Sequence, residues 1–147
     1  MKDVTLKIVG KHIYDENIEE DQLELITEGK MYRRGGQIFL TYDESEFTGL
    51  EGCRTRLTLE DGVVRMTRSG SAVGIDTEIR FEKGKRYDGL YDTPYGPIQM
   101  EVLTNELKNT VGPDGNGVVD IDYSISLKGL SEGRSRLNIE VTEAREQ

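Results

Sequence analysis

Apolar and polar residues alternate in short runs along nearly the whole chain, and Gly, Asp, Asn and Pro separate the runs. In the clearest run, Val119, Ile121 and Tyr123 alternate with Asp120 and Asp122. A two-residue period places every second side chain on the same face of a strand, so one face is apolar and the other is solvated. Counting such runs predicts an antiparallel meander of ten β-strands.

The strongest hairpin signal is the pair Asp61-Gly62, since both residue types accept positive φ. It predicts paired strands at about Cys53–Glu60 and Val63–Ser69. A further strand is predicted from Val73 to Phe81. Residues 104–109 form a weak helix candidate that is too short to stand alone.

Turn residues also divide the C-terminal part of the chain. Gly129 and Ser131–Gly133 predict the turn between the last two strands. A meander must hide its edges, either by closing into a barrel or by folding into two packed sheets, and periodicity does not separate these. The fold class is therefore all-β, in one domain over residues 1–147.

The chain of 147 residues is long enough to bury a core without a disulfide or metal. The single Cys53 and the single His12 provide no zinc-ligand spacing, so we expect no metal and no cofactor. The N-terminus lacks the apolar stretch of a signal peptide, which predicts a cytoplasmic protein. No apolar run is long enough to predict a membrane span.

The formal net charge of -9 disfavours binding to nucleic acid, because phosphates would be repelled at long range. Residues 54–86 nevertheless carry 8 basic and 5 acidic side chains. This basic middle third is typical either of an anion-binding surface or of salt bridges between neighbouring strands.

Strand parity, by which every second side chain lies on the same face of a strand, places two charged residues on apolar faces. Arg68 shares a face with Val64 and Met66, and Glu44 shares a face with Leu40 and Tyr42. Both charges are therefore expected to point inward, where an unpaired charge costs several kcal/mol. Each must meet a partner, water or a ligand.

Three interpretations of this pair stay open. Arg68 and Glu44 could form an ion pair at one end of a barrel, with Tyr42 hydrogen-bonded beside it. Alternatively, Arg68 with Tyr42, Tyr91 and Tyr123 could bind the acidic head of an apolar ligand. A bulge in the strand would instead turn Arg68 outward.

Several short motifs together resemble a known family. They are Tyr42 with Glu44, Arg68-Ser69-Gly70, the run from Tyr95-Gly96 through Met100 to Thr104, and Gly117 leading to Asp122-Tyr123. In this order, from about Gly29 to Val141, the chain resembles the bacterial YwiB-like family. The resemblance implies a cytoplasmic, calycin-like β-barrel related in fold to the lipocalins, with no assigned activity.

The leading functional hypothesis is a non-enzymatic protein that binds a small apolar or amphiphilic anion inside a closed barrel. Its candidate binding residues are Arg68, Glu44, Tyr42, Tyr91 and Tyr123. The alternative is a structural module with a filled barrel that contacts a protein partner or a second copy of itself. Catalysis stays open, although no arrangement demands it: His12 is predicted near a strand rim, and Asp120 and Asp122 on a solvated face.

Overall fold

The computed structural model of the chain describes residues 1–13, 21–44, 52–70, 77–93, 96–128 and 131–144. These residues form ten β-strands, and no helix that could cross a membrane occurs among them. The strands are β1 (Lys2–Ile13), β2 (Asp21–Arg34), β3 (Gln37–Asp43), β4 (Cys53–Glu60), β5 (Val63–Gly70), β6 (Thr77–Glu82), β7 (Arg86–Thr93), β8 (Gly96–Asn109), β9 (Gly117–Leu127) and β10 (Ser131–Glu143).

The strands form one antiparallel sheet in the order β6-β5-β4-β3-β2-β1-β10-β9-β8-β7. β1 pairs with both β2 and β10, which joins the two ends of the chain in the middle of the sheet. Among the described residues no ladder joins β6 to β7; instead the Gly84 N–H in the turn between them donates to the Thr104 carbonyl of β8 at 2.8 Å. The predicted all-β barrel is confirmed, and it is nearly closed.

Odd-numbered strands end, and even-numbered strands begin, at what we call the upper end of the barrel. The connections there, residues 14–20, 45–51, 71–76, 94–95 and 129–130, fall partly or wholly outside the described residues. The lower end carries the start of β1, the end of β10 and the other turns. We call the barrel-facing side of each strand its inner face.

The predicted hairpin at Asp61-Gly62 is confirmed, with strands β4 and β5 at the expected positions. In this turn Gly62 takes positive φ (72°) and Asp61 does not. Gly35 and Gly36 do both take positive φ, at 58° and 81°, in the turn between β2 and β3.

The helix candidate at residues 104–109 is wrong, because these residues complete β8. Thr104 faces Tyr123 of β9, and Glu106 faces Asp122, so Asn105 is an extra residue in a β-bulge. The bulge moves the inner face from even to odd positions. Thr104 and Leu107 are therefore inner-face neighbours three residues apart, which is the spacing that also suggests a helix.

Two other boundaries differ from the prediction. Ser131–Gly133 are not a turn but the start of β10, where Gly133 pairs with Ile125. Gly129 lies outside the described residues. The strand predicted from Val73 to Phe81 is described only from Thr77 onward, since residues 71–76 also lie outside them.

The core fills the lower half of the barrel and extends along β8 to Met100 and Val102, which pair with Leu127 and Ile125 of β9. Its side chains alternate along the strands, as the two-residue period predicts. Those less than 2% exposed are Phe81, Leu6, Leu40, Leu57, Met100, Ile121, Ile139, Val4, Val64, Val102, Val119 and Val141.

Candidate functional site

One row of the sheet carries three of the polar inner-face residues. Tyr42 of β3 faces Thr55 of β4, which in turn faces Arg68 of β5. All three lie near the upper end of their strands. Glu44 follows two residues after Tyr42 on the same face, and its N–H donates to the Cys53 carbonyl at 2.9 Å. This backbone bond fixes the carboxylate over Thr55.

A compact network connects the four side chains. The Thr55 hydroxyl donates to Glu44 Oε1 at 2.5 Å. Arg68 Nε lies 3.5 Å from the same oxygen and donates to Thr55 Oγ1 at 3.4 Å. The Glu44 side chain is 1% exposed, whereas that of Arg68 is 30% exposed. The carboxylate is thus enclosed, and the guanidinium reaches open space.

This geometry confirms the parity argument for Arg68 and Glu44 and shows the ion pair of the first interpretation. Burial and the negative charge of Glu44 raise the pKa of Tyr42 to about 12, although Arg68 and Thr55 act in the opposite direction. At neutral pH Tyr42 is therefore an uncharged phenol.

The pair does not use the whole guanidinium. Among the described residues, Arg68 makes its hydrogen bond and ion pair through Nε, and neither Nη1 nor Nη2 donates to a protein acceptor. Arginine carries five N–H donors in a fixed plane, and Nη1 and Nη2 together match the two oxygens of a carboxylate. A free donor edge of this kind can bind an acidic group end-on.

A second polar row lies across the barrel. Tyr123 of β9 faces Ser135 of β10, which faces His12 of β1. Ser135 Oγ lies 3.1 Å from His12 Nδ1. Burial raises the pKa of Tyr123, while a hydrogen bond with Ser135 and the positive charge of Arg68 partly offset the rise. The charge of Arg68 therefore reaches this row.

Tyr91 stands apart from the other predicted residues. Its backbone lies in β7 and pairs with Ile98 of β8, but its side chain is outside the described part of the structure. Its role stays a prediction. The other four candidates, Tyr42, Glu44, Arg68 and Tyr123, occupy the inner face of the barrel.

The inner face opens toward the upper end on four adjacent strands, β2, β1, β10 and β9. On β1, Val4 and Leu6 are fully buried and Ile8 is partly exposed. On β2, Met31 is buried, whereas Leu23 is 49% exposed. On β9 and β10 the inner-face side chains nearer the upper end are likewise only partly buried. They are Tyr123, Ile125, Leu127 and Leu137. Apolar side chains of this wall therefore face open space.

A pocket of about 360 Å³ lies against this wall. Three of its lining residues, Lys11, Gln22 and Arg136, belong to the outer face. The other six belong to the inner face: Gly10, His12, Leu23, Tyr123, Ser135 and Leu137. It combines apolar sides with a few polar groups, as small-molecule sites do.

The basic middle third is largely neutralised on the outside of the barrel. Ion pairs join Arg54 to Asp43, Arg65 to Glu60, and Lys83 to Glu106. The structure thus favours salt bridges between strands over an outer anion-binding surface.

Asp120 and Asp122 lie on the outer face as predicted, yet they are not ordinary exposed carboxylates. Each accepts two hydrogen bonds from one arginine, Asp120 from Arg136 and Asp122 from Arg134. These bonds hold the pKa of both carboxyl groups below the usual range. A pair of salt-bridged, ionised acids is unsuited to acid–base catalysis.

Sequence reasoning missed Thr55, Ser135 and Gly10. Thr55 could have been found, because parity puts it on the inner face with Leu57. The row of Ser135, Tyr123 and His12 depends on register between strands far apart in sequence, which periodicity does not reveal. Within the described residues no group of three or more His, Cys, Asp or Glu side chains is placed to hold a metal ion.

The fold and this site define a small antiparallel β-barrel protein with a polar, partly open interior at one end. The chain belongs to the family of the domain of unknown function DUF1934, whose model matches residues 6–139. This confirms the resemblance to YwiB-like proteins.

A solved structure shows the same fold. The crystal structure of the ywiB protein from Bacillus subtilis matches with a TM-score of 0.81 at 19% sequence identity. The match covers 98% of this chain and 93% of that one. No curated protein matches the chain.

Proposed function

We propose that this protein binds a small amphiphilic anion inside the upper half of the barrel, with Arg68 hydrogen-bonding its acidic group. The observation that carries the proposal is the Nη1–Nη2 edge of Arg68, which donates to no acceptor in the described part of the chain, while Thr55 and Glu44 hold the Nε edge. An arginine oriented by its own protein partners loses little side-chain freedom when a ligand binds.

The charges around Arg68 support an acidic ligand. Glu44 is its only ion-pair partner among the described residues, and that carboxylate lies on the Nε side. Tyr42 and Tyr123 are uncharged phenols at neutral pH, since burial raises the pKa of both. Of these three neighbours, Glu44 alone is negatively charged. An incoming anion would therefore approach the Nη1–Nη2 edge of Arg68 without meeting a second negative charge from this group of residues.

The walls of the upper interior support a ligand whose body, apart from the acidic group, is apolar. Ile125, Leu127 and Leu137 are partly exposed on the inner face. Covering such apolar surface contributes about 25 cal/mol per Å². A ligand with an acidic head and an apolar body would satisfy both parts of the site.

Two finer assignments accompany this proposal. We class the barrel as calycin-like, because its strands follow one another around a single up-and-down sheet. We also infer a cytoplasmic location, which suits a free, buried thiol at Cys53.

Native mass spectrometry of freshly purified protein tests the binding proposal. We expect an additional bound mass on the wild type that is lost in Arg68→Ala and reduced in Arg68→Lys. Lysine keeps a positive charge beside Glu44 but lacks the planar pair of donors. The control is Arg80→Ala, which removes an exposed outer-face arginine of the neighbouring strand and should leave the bound mass unchanged.

The alternative is a barrel that acts as a protein-interaction module. The tightly filled lower half supports it. Spectra without bound mass for the wild type and all variants, together with a stable oligomer or partner complex, would replace the binding proposal by this one.

A further inference from the structure

Gly10 leaves a gap in the inner wall. In the sheet it lies between Leu137 of β10 and Leu23 of β2, and all three belong to the inner face. A Cβ built on Gly10 would meet no heavy atom of the described residues within 4 Å. The missing side chain therefore leaves a notch between two leucines, and we call it the Gly10 notch.

The next row of the sheet borders the notch with polar groups. Ser135 faces Tyr123 on one side and His12 on the other. Ser135 is only 5% exposed, and its hydroxyl lies 3.1 Å from His12 Nδ1. Burial raises the pKa of Tyr123, and the positive charge of Arg68 partly offsets this rise.

The notch is wide and short. Leu23 and Leu137 stand on strands separated by β1, which places their backbones about 10 Å apart. The pocket of about 360 Å³ that includes the notch has room for roughly a dozen water-sized groups at about 30 Å³ each. A flat ring or a branched group fills such a space better than a single extended methylene chain.

We propose that the Gly10 notch is the specificity-determining subsite of the barrel and takes a ring or branched group of the bound anion. This inference rests on the proposed function, because Arg68 provides the acidic-head site from which the ligand reaches the notch. Gly10 sets the size of the group that is accepted. The ligand class is thus an aromatic or branched organic acid rather than a straight-chain fatty acid.

Isothermal titration calorimetry with two probes tests this subsite. The first probe is 8-anilinonaphthalene-1-sulfonate, which has an acidic head and bulky rings, and the second is decanoate, which has a straight chain. Gly10→Val fills the notch with a β-branched side chain that suits a strand. We expect it to raise the Kd of the aromatic probe at least tenfold and that of decanoate less than threefold.

The control for this variant is Val9→Leu, which adds a methylene group to the neighbouring outer-face position and should change neither Kd. Far-UV circular dichroism and the thermal midpoint check that Gly10→Val stays folded, as the open space at Gly10 predicts.

The outcomes separate the two proposals. If Arg68→Ala weakens both probes and folded Gly10→Val weakens neither, or weakens both equally, the notch proposal is wrong while the Arg68 site stands. If Arg68→Ala changes neither Kd, or the wild type binds neither probe below 1 mM, both proposals fail. An unfolded Gly10→Val would contradict the open notch itself.

Discussion

Arg68 is held in place by the carboxylate of Glu44, which it approaches through Nε. Glu44 is enclosed and takes its shortest hydrogen bond from Thr55, while Arg68 approaches the same oxygen through Nε. The buried acid therefore orients the guanidinium and leaves its other edge for an external anion. In this arrangement Glu44 both stabilises the barrel and competes with the ligand for Arg68.

Glu44→Gln separates these two effects. The variant keeps the shape but removes the counter-charge, so we expect the free energy of unfolding to fall by about 1–3 kcal/mol. The affinity for decanoate should rise, because the positive charge of Arg68 is no longer shared. Urea unfolding and calorimetry measure the two quantities.

Asp43→Asn is the matched control, since Asp43 is an exposed outer-face acid paired with Arg54. Exposed pairs contribute at most about 1 kcal/mol, so its effect on stability should be small and decanoate binding should not change. A fall in decanoate affinity in Glu44→Gln would show that Glu44 helps to bind the anion instead of competing with it.

The inward charges could be predicted from the sequence because parity needs only one strand at a time. Arg68 follows Val64 and Met66, and Glu44 follows Leu40 and Tyr42, in unbroken alternation. Their partner Thr55 and the row of Ser135 and His12 depend on which strands lie side by side. That information comes from sheet order and register, which the local pattern does not contain.

Glycines within strands show how differently the same residue acts along the barrel wall. Gly29 of β2 and Gly10 of β1 are both inner-face positions without positive φ. A Cβ on Gly29 would lie 2.6 Å from the Thr41 carbonyl oxygen and 3.1 Å from Leu6 Cδ1. Gly29 is thus required by close packing, whereas no atom of the described residues occupies the place of a Cβ at Gly10.

This contrast predicts opposite results for the same substitution. Gly29→Ala should lower the free energy of unfolding by about 1–3 kcal/mol, since the backbone of β3 must move away. Gly10→Ala should leave it unchanged or raise it by up to about 1 kcal/mol, because alanine is less flexible in the unfolded chain. Urea denaturation of both variants provides the comparison; equal losses would contradict the opening at Gly10.

At the level of elements, the sequence predicted strand number and most hairpins, because glycine turns and two-residue alternation are local signals. It failed at the bulge of β8, where Asn105 shifts the alternation by one residue. It also failed at Ser131–Gly133, whose polar and glycine residues resemble a turn but pair with β9. Pairing with a neighbouring strand overrode local preference in both places.

The whole barrel divides into a filled lower half and an upper half that is open along one wall. The lower half contains the packed aliphatic core and accounts for the fold. In the upper half, Arg68 lies on the inner face of β5, and Tyr123 belongs to the apolar wall that contains the Gly10 notch. The net charge of -9 is a property of the whole chain, and the interior cation gives the barrel a local preference that this overall charge does not indicate.

A crystal structure of the protein with 4-iodobenzoate tests this account most directly. We expect the carboxylate oxygens to lie at hydrogen-bond distance, about 2.7–3.2 Å, from Nη1 and Nη2 of Arg68. The anomalous signal of iodine should lie inside the barrel, between Tyr123 and Leu137. Iodine found only on the outer surface, with side chains filling the upper interior, would contradict the account.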